Sequence, residues 1–172
     1  MEDAMLSPVM TNLLNEQIAR ELYSVNLYRQ MAAWCDHQGL IGSAAFLDAQ
    51  ARDEDDHFQR FYRYVRETGS LAVIAAIPAP PSSWPDIRAV FQDALVHEQQ
   101  ITRAINALYK AAFEEGDFAT VSFLQWFTTE QHEEERLLRT VHDKLRIIGA
   151  DPKGLYWIDK EIGKLAERTA GS

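Results

Sequence analysis

A sixteen-residue stretch, Ser70 to Pro85, constrains this chain more than any other segment. It holds four of the six prolines, in Ile77-Pro-Ala-Pro-Pro-Ser-Ser-Trp-Pro85, and so cannot be helical throughout. Long helical patterns flank it on both sides. Extended chain at ~3.3 Å per residue reaches roughly 50 Å over that span. A helix of 26 residues covers only about 39 Å at 1.5 Å per residue. The stretch can therefore travel the full length of a helical bundle, which makes the helices on either side of it parallel. An interdomain linker is the weaker alternative, because neither flanking half has a self-sufficient core.

The rest of the chain is poor in breakers. Gly and Pro together number 14 of 172 residues. Ser7-Pro8 has the form of an N-cap followed by a first-position proline. A helix is expected over about 8–36, with Leu14, Ile18, Val25, Tyr28 and Ala32 on one stripe. A second is expected over about 42–67, with Leu47, Phe58, Phe61 and Val65 inward and Thr68-Gly69 as its stop. After the crossover, about 68–85, come helices over about 86–115 and 117–148. Phe91, Leu95, Thr102 and Ile105 face inward on the former, and Phe127, Leu138, Val141 and Leu145 on the latter. Asp117 is a candidate cap between them. Gly149-Ala-Asp-Pro152 should end the fourth helix, and a short fifth should run over about 155–168. The fold class is all-α, a four-helix bundle with one long crossover, in a single domain over 1–172.

Charge narrows the function. A formal charge of −9 lacks the basic footprint that phosphate backbones demand, so nucleic acid is not expected as a partner. Cys35 is the one cysteine, so an internal disulfide or a four-cysteine metal site is impossible. The N-terminus lacks the pattern of a secretory signal, and no segment should span a bilayer. A cytoplasmic location is expected.

The informative residues are acids lying where the core should be. Glu21 sits three residues after Ile18 and four before Val25. Glu54 is seven residues from both Leu47 and Phe61, and His57 follows one turn later on the same face. Glu98 is seven from Phe91 and from Ile105. Glu134 is seven from Phe127 and from Val141, with Gln131 one turn before it. Each of the four long helices thus carries an inward acid near its middle. Burying one ionised carboxylate costs several kcal/mol, and four together could not all stay ionised. Metal cations resolve this, because they supply charge and satisfy several oxygens at once. Four carboxylates and an imidazole are too many donors for one ion and too hard a set for structural zinc. They suit a pair of oxygen-loving, redox-active ions, a di-iron or di-manganese site between helices.

Several runs strongly resemble the bacterial non-haem ferritins. They are Leu14-Asn-Glu-Gln-Ile-Ala-Arg-Glu-Leu-Tyr-Ser24, the Glu54-x-x-His57 pair, His97-Glu-Gln99 and Phe123-Leu-Gln-Trp-Phe-Thr-Thr-Glu-Gln-His-Glu-Glu-Glu135. Gly154-Leu-Tyr-Trp-Ile-Asp-Lys-Glu161 resembles their short last helix. The resemblance spans about Leu13 to Leu165. It implies iron storage and a ferroxidase centre that oxidises Fe2+ to Fe3+ with O2 or peroxide. Glu21 and His57 would hold one iron, Glu54 would bridge, and Glu98 and Glu134 would hold the second with Gln131 close by. Tyr28 matches a tyrosine near that centre. Trp126 matches a nearby tryptophan, though core packing is the favoured role for it.

The resemblance also implies a third, outlying iron site at Asp53, Glu130, Glu133 and Glu134. The family's usual residue at position 53 is glutamate, and the shorter aspartate arm should weaken that site. Bacterioferritins place a haem-ligating methionine directly after the bridging glutamate. Asp55 stands there, so no haem is expected. A homo-oligomeric cage of 24 subunits is implied as well. Two rivals are a di-iron oxidase or peroxidase that stores nothing and a structural bundle that merely packs. The last-helix match argues against the first, and the complete ligand set against the second.

Overall fold

The computed structural model describes residues 5–148 and 151–169. Five helices follow one another: α1 (Pro8–His37), α2 (Ile41–Glu67), α3 (Ile87–Glu115), α4 (Phe118–Ile148) and α5 (Pro152–Thr169). No strand occurs among the described residues. Local chemistry explains most of the boundaries. Ser7 accepts from the Met10 amide, and Pro8 occupies the first helical position. Asp86 accepts from the Ala89 amide, and Asp117 from the Thr120 amide. Gly116, with φ of 72°, ends α3 in the left-handed conformation that suits glycine.

One boundary differs from expectation. Asp151-Pro152 was expected to act as a stop but opens α5, three residues earlier than the expected start. Pro152 sits in the first turn, where its missing N–H costs nothing, and the Asp151 carboxylate accepts from the Gly154 amide at 2.7 Å. Gly149 and Ala150, the rest of that expected stop, lie outside the described residues. The start of α2 has no local side-chain cap. Asp159 on α5 takes that role, accepting from the Gly42 amide at 2.9 Å and the Ser43 amide at 2.8 Å.

The Ser70 to Pro85 segment runs as an extended strap along the bundle. At one end Asn15 holds Leu71 and Val73 through their backbone groups. At the other, Trp84 packs edge-on against Trp34 near the end of α1. The strap carries the chain back to where α2 began, so α2 and α3 run parallel. Cross-contacts fix the remaining directions. Ser7 bonds Glu115 and Tyr28 bonds Glu98, so α1 and α3 are antiparallel. Tyr64 meets Thr120, and Phe61 stacks on Phe127 at 4.2 Å, so α2 and α4 are antiparallel too.

The apolar interior falls into two clusters. One gathers Met31, Phe46, Leu47, Phe91, Leu138 and Val141. The other gathers Met10, Leu14, Ile18, Phe61, Ile105 and Phe127. The inward acids occupy the layer between them.

The α2–α5 contact leaves no room for a side chain. A Cβ on Gly42 would sit 2.0 Å from the Asp159 carbonyl oxygen, and one on Gly163 would sit 2.9 Å from the Gly42 Cα. Gly42→Ala should therefore displace α5, at about 1–3 kcal/mol for overpacking against backbone. Hydrogen exchange should rise across 152–169 while the middle of α1–α4 stays protected. Unchanged protection over α5 would refute this.

Candidate metal centre

Each of the four long helices delivers one carboxylate to a common centre. Glu21 and Glu98 are fully shielded from solvent, Glu54 is 1% exposed, His57 2% and Glu134 5%. The heptad spacing in the sequence produces this, since each acid lies two turns from large apolar residues that must face inward.

Among the described residues, three groups bring potential ligand atoms within 4.8 Å of one another: Glu21, Glu54 and His57; Glu54, Glu98 and Glu134; and His57, Glu130 and Glu134. Glu54 belongs to the first two. The His57 ring stands between carboxylates. Its Nδ1 lies 3.2 Å from Glu54 Oε2 and 4.0 Å from Glu21 Oε2, and its Nε2 lies 3.7 Å from Glu134 Oε1. Glu98 is held by two donors. The Tyr28 hydroxyl donates to Oε1 at 2.5 Å and the Gln131 amide to Oε2 at 3.0 Å.

Three carboxylate oxygens, Glu21 Oε2, Glu54 Oε1 and Glu134 Oε2, are buried without a hydrogen-bond partner. An orphaned buried acceptor of this kind is costly, more so when charged. The electrostatics carry the same sign of strain. Burial first, then neighbouring acids, pushes the Glu54 and Glu134 carboxyls well above the usual range. Burial raises Glu21 too, against the opposing pull of His57 and Gln17. For His57, burial works against the charged ring, but Glu134, Glu21, Glu98 and Glu130 outweigh it and lift the pKa. Burial first, then Glu98, Glu54 and Glu134, pushes the Tyr28 phenol well above its ordinary value. Divalent cations at the two carboxylate groups would satisfy the orphan oxygens and reverse this balance.

The outlying set is only partly drawn together. Glu130 groups with His57 and Glu134, whereas Asp53 joins no such group among the described residues. Asp53 is half-buried, and burial raises its carboxyl, with His57 pulling down and Glu130 pushing up. Glu133 is exposed.

Trp126 departs from the expected core packing. It is 37% exposed, because Phe127 takes the inward position and leaves Trp126 one step round α4. Its ring meets His57 edge-on at 5.4 Å, and the Arg60 guanidinium lies 3.9 Å over it. Sequence reasoning also missed three buried polar residues. Gln17 donates to Glu21 Oε1 at 2.7 Å. His97 lies 2.7 Å from the Ser24 hydroxyl, and its burial lowers its pKa despite Glu98. Gln50 is 2% exposed with an unpartnered Oε1, one turn before Glu54. Gln17 and Gln50, each four residues before an inward acid, share the stripes of the acids, which was the available signal; His97 lies one position off its stripe.

A four-helix bundle with one long crossover and an acid layer across its middle defines a ferritin-like protein. The ferritin-like domain profile matches residues 11–148. A probable bacterial non-heme ferritin-like protein of Haemophilus influenzae is 47% identical over 164 residues, covering 95% of this chain and 99% of that one. A bacterial non-heme ferritin of Escherichia coli O157:H7 is 45% identical over 161 residues, covering 94% and 98%. An open-pore ferritin of Archaeoglobus fulgidus superposes with a TM-score of 0.91 at 38% identity, covering 93% of this chain and 98% of that one. The chain belongs to the ferritin family, among the bacterial non-haem ferritins.

Proposed function

We propose that this protein stores and detoxifies iron as a ferroxidase. Two Fe2+ ions bind between the helices as substrate, one held by Glu21 and His57, the other by Glu98 and Glu134, with Glu54 bridging. They give two electrons to O2, which takes up two protons to form hydrogen peroxide, or to hydrogen peroxide, whose O–O bond breaks as it takes up two protons to form two waters. The carboxylates favour the product, because Fe3+ carries more charge and gains more from each of them. Hydrolysis of Fe3+ releases protons and deposits ferric oxo-hydroxide inside a homo-oligomeric shell, of 24 subunits by family resemblance. A cytoplasmic setting fits this chemistry, and no helix among the described residues is long and apolar enough to cross a membrane.

The observation that carries this reading is the set of three partnerless carboxylate oxygens buried around His57. A bundle that merely packs would gain stability by replacing them with apolar groups. Tyr28 and Gln131 hold Glu98 in place, and the Tyr28 phenol would give a further electron to peroxide while its proton passes to Glu98. A third ion belongs beside Glu130 and Glu134, with Asp53 reached through water and Glu133 at its outer side. Haem has no part in the scheme.

Aerobic loading tests the whole reading. Metal-free protein given Fe2+ in air should oxidise it rapidly and retain far more iron per chain than the intrasubunit ligands could hold, in a large assembly. Oxidation with no retained iron beyond those ligands would favour an oxidase that stores nothing. No catalysed oxidation would leave a structural bundle.

A further inference from the structure

Gln17 lies fully buried on α1, between Leu14 and Ile18 on the apolar stripe. A primary amide in such a setting costs free energy unless its hydrogen bonds are made. Its Nε2 donates to Glu21 Oε1 at 2.7 Å, one turn further along the helix. Its Oε1 faces Arg20 Nη1 at 3.5 Å, and Arg20 in turn lies 3.5 Å from Glu16. A guanidinium only donates, so Arg20 claims the carbonyl end of the amide and turns the NH2 end towards Glu21.

The two oxygens of Glu21 are thereby made unequal. Oε1 is tied to Gln17, while Oε2 has no partner and points towards His57 Nδ1, 4.0 Å away. The terminal torsion of a glutamate is otherwise broad. Left alone, the carboxylate could turn both oxygens to one ion. Glu54 and Glu98 already have partners with assigned roles, His57 for the one and Tyr28 and Gln131 for the other. Gln17 is the donor that the two-ion scheme leaves without one.

We infer that Gln17 is a positioning residue that holds Glu21 as a one-oxygen ligand to the ion shared with His57. That ion then keeps a coordination position for a small oxygen ligand such as water or dioxygen. The inference rests on the two-ion reading of the centre. Groups that orient a metal ligand typically set affinity by 10–100-fold, and the hydrogen bond here is charge-assisted.

Co2+, which O2 does not readily oxidise in such sites, probes the centre without turnover. The assembled parent protein should take two Co2+ per chain. In Gln17→Leu one of the two affinities should fall about 10-fold or more while the other holds. The visible absorption of that Co2+ should weaken as Glu21 becomes bidentate and the coordination number rises. The metal-free variant should melt no lower than the parent, because leucine removes a buried amide. Gln17→Met keeps the unbranched shape, should leucine crowd the helix, and should give the same result. Unchanged Co2+ affinities and spectra in both variants would overturn the role. So would an equal fall in both affinities, or a lower melting temperature with unaltered binding, each of which marks plain packing. A parent that bound fewer than two Co2+ would overturn the two-ion reading itself, and this inference with it.

Discussion

Glu54→Ala should abolish paired ion binding and lower the initial rate of Fe2+ oxidation by about 100-fold or more, beyond the loss usual for an outer-shell contact. The expectation comes from its place in the centre. Glu54 alone belongs both to the group with Glu21 and His57 and to the group with Glu98 and Glu134. Removing it takes a donor from each ion and leaves the two sites unconnected. Glu21→Ala, by contrast, touches only the first group and should chiefly weaken one ion. Stopped-flow oxidation and equilibrium binding of both variants check this. Wild-type initial rates in both would refute the dinuclear scheme. The metal-free Glu54→Gln form should melt higher than the parent, since it keeps the shape and removes a buried charge.

Metal-free protein should melt at a higher temperature at about pH 6.5 than at about pH 8, where surface carboxylates, ionised at both, predict no change. Glu21, Glu54 and Glu134 have folded-state pKa values raised chiefly by burial. The folded state therefore binds more protons than the unfolded one above the ordinary carboxylate range, and stability falls as pH rises through the raised values. His57 adds to the trend. Its raised pKa contributes stability that is present below the ordinary imidazole value and is lost as pH climbs. His97, lowered by burial, opposes this only below the ordinary imidazole value. Each kcal/mol recovered should raise the midpoint by about 2–4 °C in a chain of this size. Saturating Co2+ should flatten or invert the dependence, because the ions bind the deprotonated carboxylates and so favour higher pH. Calorimetry at the two pH values, with and without Co2+, checks both halves. A metal-free midpoint that rose with pH would show that the acids are not strained in the folded state.

The bundle was legible in the sequence because its signals are local. Ser7, Asp86 and Asp117 announce helix starts through bonds to amides three residues away. The proline-rich strap announces the crossover through steric exclusion alone. The four acids were legible because heptad spacing places a residue on a face without knowledge of its partner. What escaped depends on pairs distant in sequence. Asp159 caps α2 across 116 and 117 residues, which no local pattern encodes. Gln17 and Gln50 sit on the right stripes, but a glutamine can be solvated without penalty, so its burial carries no warning in the sequence. Trp126 misled for a related reason. Its hydrophobicity suggests an interior place, yet Phe127 is the neighbour that faces inward, and the tryptophan caps His57 from the side. Asp53 was placed in the outlying set by resemblance, with its short arm expected to weaken it; the proximity of His57 to Glu130 was not read from the sequence.

The strap between α2 and α3 has a consequence for the order in which the molecule assembles. It separates two helical hairpins, α1 with α2 and α3 with α4, whose internal contacts are close in sequence and quick to form. Joining the hairpins requires closure of a sixteen-residue, proline-stiffened loop, and only then do Glu98 and Glu134 meet Glu21, Glu54 and His57. Repulsion between the Glu21–Glu54 pair and the Glu98–Glu134 pair is therefore absent from the early steps and enters in the last one. On the two-ion reading, the ion taken by Glu54, Glu98 and Glu134 would act at that step, joining two hairpins neither of which has a self-sufficient core. On that reading the centre would be a latch between hairpins as well as a place for chemistry, with the ion it takes in closing the molecule that holds it.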